Sequence, residues 1–495
     1  MNTTGQVQAP QAAGEPGQAE RERKDDPERA YVVLIADLVG LRFGADGTPD
    51  HSEAEAYIAE KGGVFHLGPV GDRESLEKGR IHFFYQPDLS TEAEILAQTG
   101  EGQYDALIAA ATFIPKEAVF PLGGVRIGAG TGNMGSASWG GGNGEGGVAP
   151  LMNTPGINSR ATAQMAMKAL LKVLPDLPVD SLHRMVASGD FDTGRQLRDF
   201  PTAKLEGRKM AVLGYGNIGR ELAKLARAFG MRVAIYARDR HREWIEAEGF
   251  DYAASPVAAA SGADALSVHI GLGRIDAATG VYSNAGTVDA DVLAAMNDGA
   301  VLINYDRGEV VDVAALDAAL WSGKIAHAAI DADLFKDAET GRLSGPMLPY
   351  LDLVKCHNAR LELLPHAAAD TDHPSRVAGA KQAVDQIFDV IRFRSVTNLK
   401  GDLPEGYVSA GTRTPAGIGR VTRQTVAELA GKPELLAELC EVSEKVATVL
   451  KSLASITDTR ERDRIVERDT ALLVKNANRQ RVLMEKLGLY GPAEE

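Results

Sequence analysis

Residues 209–236 read KMAVLGYGNIGRELAKLARAFGMRVAIY. An apolar strand runs into a GxGxxG turn, an amphipathic helix follows, and a second apolar strand closes the unit. This order is typical of the turn that holds a dinucleotide pyrophosphate, because glycines allow a tight turn, a close backbone approach and close helix packing. The free N–H groups at the start of the helix face the anion. The expected cofactor contacts in this stretch are Gly214, Gly216, Asn217, Ile218 and Gly219.

The residues after the second strand indicate which dinucleotide binds. Sites of this kind usually end the strand with an acidic residue that holds the ribose 2′-hydroxyl. Here Ala237 occupies that position, and Arg238 and Arg240 follow it. Arginine makes charge-assisted, often bidentate bonds to phosphate oxygens, so the pattern favours the 2′-phosphate of NADP(H). The alternative is that NAD(H) binds: Asp239 would then hold the ribose hydroxyl, and the arginines would be solvated residues at the start of a helix.

Composition excludes several classes of protein. The chain has 495 residues, of which 44% are hydrophobic and 24% charged, as in a globular protein of two or three domains. Its net charge of −15 disfavours a nucleic acid partner. No apolar run approaches the ~18 residues of a membrane helix, and the first residues lack the apolar stretch of a signal peptide. The two cysteines, Cys356 and Cys440, give neither a disulfide framework nor a metal-binding spacing. We therefore expect a cytoplasmic protein without a metal site.

Apolar strands alternate with helix-like stretches from Tyr31 onward, which predicts α/β architecture with parallel sheets. Residues 1–29 are rich in Gln, Ala, Gly, Pro and charge, a composition that predicts a disordered tail. From residue 401 a Gly-, Pro- and Thr-rich connector leads into two long helical patterns. Their apolar stripes favour packing or an oligomer seam over a ligand site.

Three further segments fall where parallel strands should end, at residues 300–312, 327–331 and 363–366. Together with the glycine turn and Asn153–Asn158, their order resembles the D-isomer-specific 2-hydroxyacid dehydrogenases over residues 31–398. That family includes phosphoglycerate dehydrogenases and glyoxylate/hydroxypyruvate reductases.

The resemblance implies roles for several residues. Arg307 would anchor the substrate carboxylate and polarise the carbonyl, and His366 would be the general acid/base. An imidazolium can neutralise the alkoxide left by hydride transfer, and arginine adds fixed positive charge beside it. Asp331 would contact the nicotinamide carboxamide, and His269 would line the adenine side unless it is a packed structural histidine. The loop whose backbone N–H groups would receive the substrate carboxylate is Gly130, Thr131 and Gly132.

One departure from the family concerns the carboxylate that pairs with the catalytic histidine. The family places a glutamate five residues after the aspartate matched by Asp331, and strict spacing here gives Lys336. A two-residue insertion would bring in Glu339, our first choice, or Asp337. If no carboxylate reaches the histidine, we expect reduction to need acidic pH or to fail.

A second departure is the run Ala109-Ala-Ala-Thr112, where the family usually carries an Arg-Ser or similar polar pair. Methyl groups remove the partners that a phosphate or hydroxyl on the far end of the substrate would need. We therefore expect a small or apolar 2-keto/2-hydroxy acid rather than phosphoglycerate.

The resemblance also implies the architecture. Two doubly wound parallel-sheet domains are expected: a Rossmann cofactor domain over residues 153–366 and a discontinuous, flavodoxin-like substrate domain over 30–152 and 367–400. A tail (1–29) precedes them, and a connector with a C-terminal helical extension (401–495) follows. The family usually forms dimers or tetramers, so we expect a homodimer or higher homo-oligomer.

Two other functions stay open. One is a dinucleotide-binding sensor or scaffold with weak or no turnover, which the missing glutamate favours. The other is a relative that oxidises an atypical small anion such as formate, in which a change of His366 would cost little activity.

Overall fold

The computed structural model describes residues 22–489, apart from 38, 41, 90, 101, 174–178, 201, 203, 275, 277, 278, 280, 337–339, 367–371, 414–420, 422 and 457. The chain divides into two compact units. The first takes the described residues of 22–39, 51–153 and 380–411, and the second takes those of 40–50, 154–379 and 412–489.

The strands are β1 Tyr31–Ile35, β2 Val64–Leu67, β3 Ile81–Tyr85, β4 Ala106–Ala109, β5 Gly124–Arg126, β6 Leu151–Asn153, β7 Lys209–Leu213, β8 Arg232–Tyr236, β9 Asp251–Ala253, β10 Ala265–Val268, β11 Ala300–Asn304, β12 Ile325–Ala332, β13 Phe335–Lys336, β14 Leu343–Ser344, β15 Leu361–Pro365, β16 Ser395–Val396, β17 Leu399–Lys400 and β18 Val408–Ser409. The α-helices are α1 Ser52–Glu60, α2 Glu92–Thr99, α3 Ser159–Val173, α4 Val179–Ala187, α5 Thr193–Gln196, α6 Asn217–Ala228, α7 Arg242–Ala247, α8 Pro256–Ala260, α9 Ala290–Ala295, α10 Val313–Ser322, α11 Leu348–His357, α12 His373–Phe393, α13 Arg423–Leu429, α14 Pro433–Ala454 and α15 Thr459–Lys486.

The first unit is built on a seven-stranded sheet in the order β17-β6-β5-β4-β1-β3-β2. Its pairs are parallel except for β17 with β6. The central strand β1 is YVVLI and is buried throughout, as expected where both faces of a parallel sheet are covered. One face packs with α1 and the residues of α12 from Ala380 on, and the other with α2 and Trp139.

The second unit is built on a sheet of seven parallel strands in the order β15-β12-β11-β10-β7-β8-β9. Helices α3 and α6 cover one face, and α8 to α11 cover the other. The strand order reverses between β7 and β10, and ligands of such sheets bind outside the carboxyl ends of the strands at this point. The prediction of two parallel-sheet α/β domains is confirmed.

The C-terminal segment contains the two long helices that the apolar stripes predict. Helices α14 and α15 pack as a hairpin that buries Val442, Val449 and Leu483. Arg479 of α15 forms two bonds to the Glu438 carboxylate of α14, at 2.6 and 2.7 Å. None of the helices in the described part of the chain is long and apolar enough to cross a membrane.

Residues 22–29, the last part of the predicted disordered tail, form defined contacts with the first unit. The backbone N–H of Lys24 donates to the carbonyl of Arg392 at 2.7 Å, and the Arg29 guanidinium pairs with the buried carboxylate of Asp105. Asp105 also accepts the backbone N–H of Val32 at 2.7 Å. Residues 22–29 are therefore held by hydrogen bonds and an ion pair, which low hydrophobicity does not preclude. Residues 1–21 lie outside the described residues.

The compact units also differ from the expected domain limits, since residues 40–50 fall in the second unit. The first unit resumes at Ala380, not at residue 367, and it extends to Gly411 rather than ending at residue 400. The extension is held because β18 pairs with β16, through Ser395 opposite Val408 and Val396 opposite Ser409. Part of the expected connector thus belongs to the first unit.

Candidate active site

The glycine turn between β7 and α6 has the geometry that its sequence predicts. Gly214 has φ +108°, and a Cβ there would lie 2.1 Å from the carbonyl oxygen of His269. A Cβ on Gly219 would lie 2.1 Å from the carbonyl oxygen of Gly214. Gly216 caps the N-terminus of α6, and no atom lies within 4 Å of where its Cβ would be. The turn is thus closed around Gly214 and Gly219 and open at Gly216, which lets an anion approach the helix start.

The end of β8 lies beside this turn, because the N–H of Gly214 donates to the carbonyl of Tyr236 at 2.8 Å. Ala237 is buried, whereas Arg238, Asp239 and Arg240 are exposed. Burial and the nearby charge of Asp239 raise the pKa of the Tyr252 hydroxyl. The structure therefore places the two predicted arginines next to the glycine turn, together with the carboxylate that the alternative assigns to the ribose.

His269 follows β10, and its backbone lies against the glycine turn. Its Nε2 lies 2.9 Å from Ser267 Oγ, and its buried Nδ1 has no hydrogen-bond partner among the described residues. Burial lowers the pKa of His269 to about 3, so the ring is neutral at physiological pH. These contacts are those of a packed neutral histidine beside the turn, which was the alternative interpretation of this residue.

Arg307 follows β11, the strand next to β10. Its backbone carbonyl accepts a hydrogen bond from Asn304 Nδ2 at 2.8 Å, and Asn304 is fully buried. The segment from Asn304 to Arg307 is therefore held by a buried hydrogen bond. Its guanidinium Nη1 lies 3.4 Å from Asp333 Oδ2, and the Arg307 side chain is 32% exposed. Of the neighbouring carboxylates, Asp306 accepts the N–H of Gly271 at 2.6 Å, and Asp312 caps α10.

His366 follows β15, the edge strand beside β12. Its backbone N–H donates to the carbonyl of Ala332 at 3.1 Å, which continues the β12–β15 ladder by one residue. Its Nδ1 lies 3.0 Å from Oδ1 of Asp331, a carboxylate that is only 3% exposed. Because a carboxylate accepts, Nδ1 carries the hydrogen in this pair and Nε2 is left as the nitrogen that can exchange a proton.

Three carboxylates and two basic groups thus meet at the carboxyl ends of β11, β12 and β15. Burial raises the pKa of Asp306, and the Gly271 N–H and the charges of Arg307 and His366 oppose that shift. Arg307 offers a guanidinium for an anion, and His366 offers a ring nitrogen for a proton. Among the described residues, no group of three or more His, Cys, Asp or Glu side chains could hold a metal ion.

Comparison with known proteins identifies the family. A model of the NAD binding domain of D-isomer specific 2-hydroxyacid dehydrogenases matches residues 177–368. A glyoxylate reductase of Thermococcus litoralis is 30% identical over 264 residues, which cover 52% of this chain and 70% of that protein. A glyoxylate reductase of Aeropyrum pernix is 30% identical over 252 residues, covering 50% and 68%. The chain belongs to the D-isomer specific 2-hydroxyacid dehydrogenase family.

This 2-hydroxyacid dehydrogenase is also similar to proteins of solved structure. The crystal structure of a glyoxylate reductase from Paecilomyes thermophila matches 74% of this chain and 96% of that one, at 22% identity and a TM-score of 0.48.

The first unit of the dehydrogenase contains the loop that the family resemblance assigns to the substrate carboxylate. Thr131 Oγ1 donates to the carbonyl of Gly142 at 2.7 Å, and the side chain of Asn133 donates to the carbonyls of Ala110 and Thr112. Within the described chain, the backbone N–H groups of Gly130, Thr131 and Gly132 have no acceptor. The loop is therefore braced by side chains while three amides stay available for an anion.

The carboxylate on His366 is the site residue whose role sequence reasoning missed. Glu339 and Asp337, its predicted partners, lie outside the described residues. Asp331 was assigned only to the nicotinamide carboxamide, yet its carboxylate is bonded to the ring. The signal was present in the sequence, because Asp331 and His366 both end neighbouring parallel strands and such ends meet at one edge of the sheet.

Proposed function

We propose that this dehydrogenase reduces a small or apolar 2-keto acid and oxidises the matching D-2-hydroxy acid, with NADP(H) as the preferred cofactor. The observation that carries the proposal is the placement of Arg307 and His366. They follow β11 and β15, on either side of β12, at the same edge of the sheet as the glycine turn. A guanidinium that can anchor an anion and an imidazole that can donate a proton thus lie at the same sheet edge as the glycine turn at residues 214–219, which we call the dinucleotide cradle.

The cradle fits a dinucleotide on steric grounds. Glycine is required at positions 214 and 219 to close the turn, and open space at Gly216 leaves room for a pyrophosphate against the backbone. A bound nicotinamide cofactor would supply the hydride for the keto carbon in reduction and would accept it from the hydroxy acid in oxidation. Arg307 holds the substrate carboxylate and stabilises negative charge on the carbonyl oxygen. His366 donates the proton that completes the hydroxyl from Nε2, and it takes that proton back in the reverse direction.

The preference for NADP(H) rests on the end of β8. A carboxylate at position 237 would repel a 2′-phosphate, whereas buried Ala237 presents none, and two exposed guanidiniums follow it. We expect the Arg238→Ala/Arg240→Ala double variant to raise the KM for NADPH about 10- to 100-fold and that for NADH less than threefold. Asp239→Asn is the matched control. A larger effect of Asp239→Asn on NADH than of the double variant on NADPH would favour NAD(H) instead.

The substrate class rests on two features of the first unit. Ala109 and Ala110 are buried, so Ala111 is the exposed alanine of this run, and it presents only a methyl group where a polar far end of the substrate would need partners. The amides of Gly130, Thr131 and Gly132 are proposed to receive the substrate carboxylate. Glyoxylate, pyruvate and short apolar 2-keto acids are therefore the substrates to test first.

The proposal is tested by following NADPH and NADH consumption against a panel of 2-keto acids. We expect His366→Asn to reduce kcat by at least ~100-fold, and Glu362→Gln, on the same strand, to change it less than threefold. Tight cofactor binding without turnover on any keto acid would refute the reductase and favour a sensor. Formate oxidation that survives in His366→Asn would favour the atypical-anion dehydrogenase.

We also propose a homodimer or larger homo-oligomer that works in the cytoplasm. The α14–α15 hairpin exposes Leu450, Leu472 and Val474, apolar side chains that a second copy can cover. The two cysteines of the chain are free, as is usual in a reducing compartment. A monomer in light scattering at micromolar concentration would contradict the first part of this proposal, and fractionation of cells tests the second.

A further inference from the structure

The carboxylate of Asp333 contacts the side chain of Arg307, which is proposed to bind the substrate. Its Oδ2 lies 3.4 Å from Nη1 of Arg307, and both side chains are about one-third exposed, at 34% and 32%. The backbone of Asp333 is fixed, because its carbonyl accepts the N–H of Met347 at 3.0 Å. The pair is thus a partly solvated contact, not a buried structural ion pair.

Asp333 lies one residue beyond Ala332, where β12 ends, and Asp331 lies inside the strand two residues earlier. Asp331 pairs with His366, and Asp333 pairs with Arg307. Each of the two basic groups of the site therefore has its own carboxylate, one from the end of β12 and one from the residue that follows the strand.

The charges of this cluster do not suit an anion anchor. Asp306, Asp331 and Asp333 contribute three carboxyl groups, against one guanidinium and one imidazole. Asp331 is engaged with the imidazole, and Asp306 accepts the Gly271 N–H. Asp333 is the carboxylate that directly contacts the guanidinium, so it competes with any substrate carboxylate for that group.

We infer that Asp333 is a positioning residue that sets substrate specificity: it weakens anion binding at Arg307 and selects against 2-keto acids with a second negative charge. This inference rests on the proposed function. Two carboxylates that share one guanidinium lie about 5–7 Å apart. Coulomb repulsion over ~6 Å, at an effective dielectric of ~40–80, weakens binding of each substrate charge about 3- to 10-fold.

The experiment compares Asp333→Asn with Asp352→Asn in the full chain. Asp352 is an exposed carboxylate on α11 that pairs with Lys355, so its replacement changes net charge equally without touching Arg307. Calorimetry measures binding of oxamate, an unreactive pyruvate analogue, to the enzyme saturated with reduced cofactor. We expect Asp333→Asn to tighten oxamate binding about 3- to 10-fold and Asp352→Asn to change it less than 1.5-fold.

Steady-state kinetics then separate an electrostatic role from a structural one. In Asp333→Asn, KM should fall more than kcat changes, and the KM for oxaloacetate, a dianion, should fall by a larger factor than that for pyruvate. A structural role would lower kcat or leave both KM values unchanged. Asp333→Ser, which also removes the charge, provides a second variant if Asp333→Asn does not fold.

The outcomes distinguish this inference from the proposed function. If oxamate binds and Arg307→Met abolishes that binding, the anion site is established. Unchanged or weaker oxamate binding in both Asp333 variants then overturns the inference alone. If oxamate does not bind the natural enzyme, or binds equally well in Arg307→Met, the proposed function and the inference both fail.

Discussion

The pairing of Asp331 with His366 predicts a large loss of activity in Asp331→Asn. In the proposed oxidation of a D-2-hydroxy acid, His366 would take the hydroxyl proton and become positive opposite a carboxylate that is 3.0 Å from Nδ1 and 3% exposed. A hydrogen bond to a charged group contributes about 1.5–3 kcal/mol, and charges ~4 Å apart at an effective dielectric of ~20 interact by about 4 kcal/mol. Asparagine keeps the shape but not the charge, so about 2–4 kcal/mol of stabilisation is lost, equivalent to about 30- to 1000-fold in kcat/KM.

The assay is the initial rate of D-2-hydroxy acid oxidation at neutral pH, with saturating cofactor. Glu362→Gln is the matched control, because Glu362 lies on β15 four residues before His366 but pairs with Lys172. A loss below fivefold in Asp331→Asn, in a protein that melts normally and binds cofactor, would show that Asp331 does not support the charge on His366. Glu339 would then return as the expected partner.

Four further substitutions test the cradle and its supports. Gly219→Ala would place a Cβ 2.1 Å from a carbonyl oxygen of the turn, so it should abolish cofactor binding. Gly216→Ala meets nothing within 4 Å, so this variant should fold normally and weaken cofactor binding. Fluorescence titration with the cofactor measures both effects. The pKa of His269 falls from 6.5 to about 3 on folding, so between these values the unfolded chain binds a proton that the native protein excludes. From pH 7 to 5, urea titration should show the natural protein losing about 2 kcal/mol more stability than His269→Asn. Glu248→Gln removes the carboxylate charge that lies 2.6 Å from the buried guanidinium of Arg220. This change should lower the free energy of unfolding by about 3–5 kcal/mol at pH 7, measured by the same urea titration.

The parts of the fold that local sterics determine were predictable from sequence. A strand, a GxGxxG turn and an amphipathic helix allow one compact geometry, and the contacts of Gly214 and Gly219 are those that their spacing predicts. The buried apolar run of β1 likewise indicates a parallel sheet covered on both faces. In these cases the determining interactions lie within about 30 residues of one another, as in a βαβ unit.

Interactions between distant side chains were not predictable in the same way. Residues 22–29 look disordered by composition, and Arg29 is held by Asp105, 76 residues away, which itself is held by Val32. The partner of His366 is 35 residues away and was sought in the loop after β12 instead of on the strand. Composition and spacing do not give the strand order, so the pairing of Asp331 with His366 could be predicted only by placing the carboxyl ends of β12 and β15 side by side.

Both counter-charges of the candidate active site depend on one strand register. Asp331 lies opposite Leu364 in the β12–β15 ladder, so that His366, two residues on, is within reach of its carboxylate. Asp333 lies one residue beyond the end of β12 and contacts Arg307. Because side chains alternate along a strand, a slip of one residue would turn Asp331 to the opposite face and would also shift the segment that carries Asp333. The proposed proton relay and the proposed restraint on the anion anchor are therefore coupled through the end of β12, and a change that shifts this end should alter kcat and substrate selection at once.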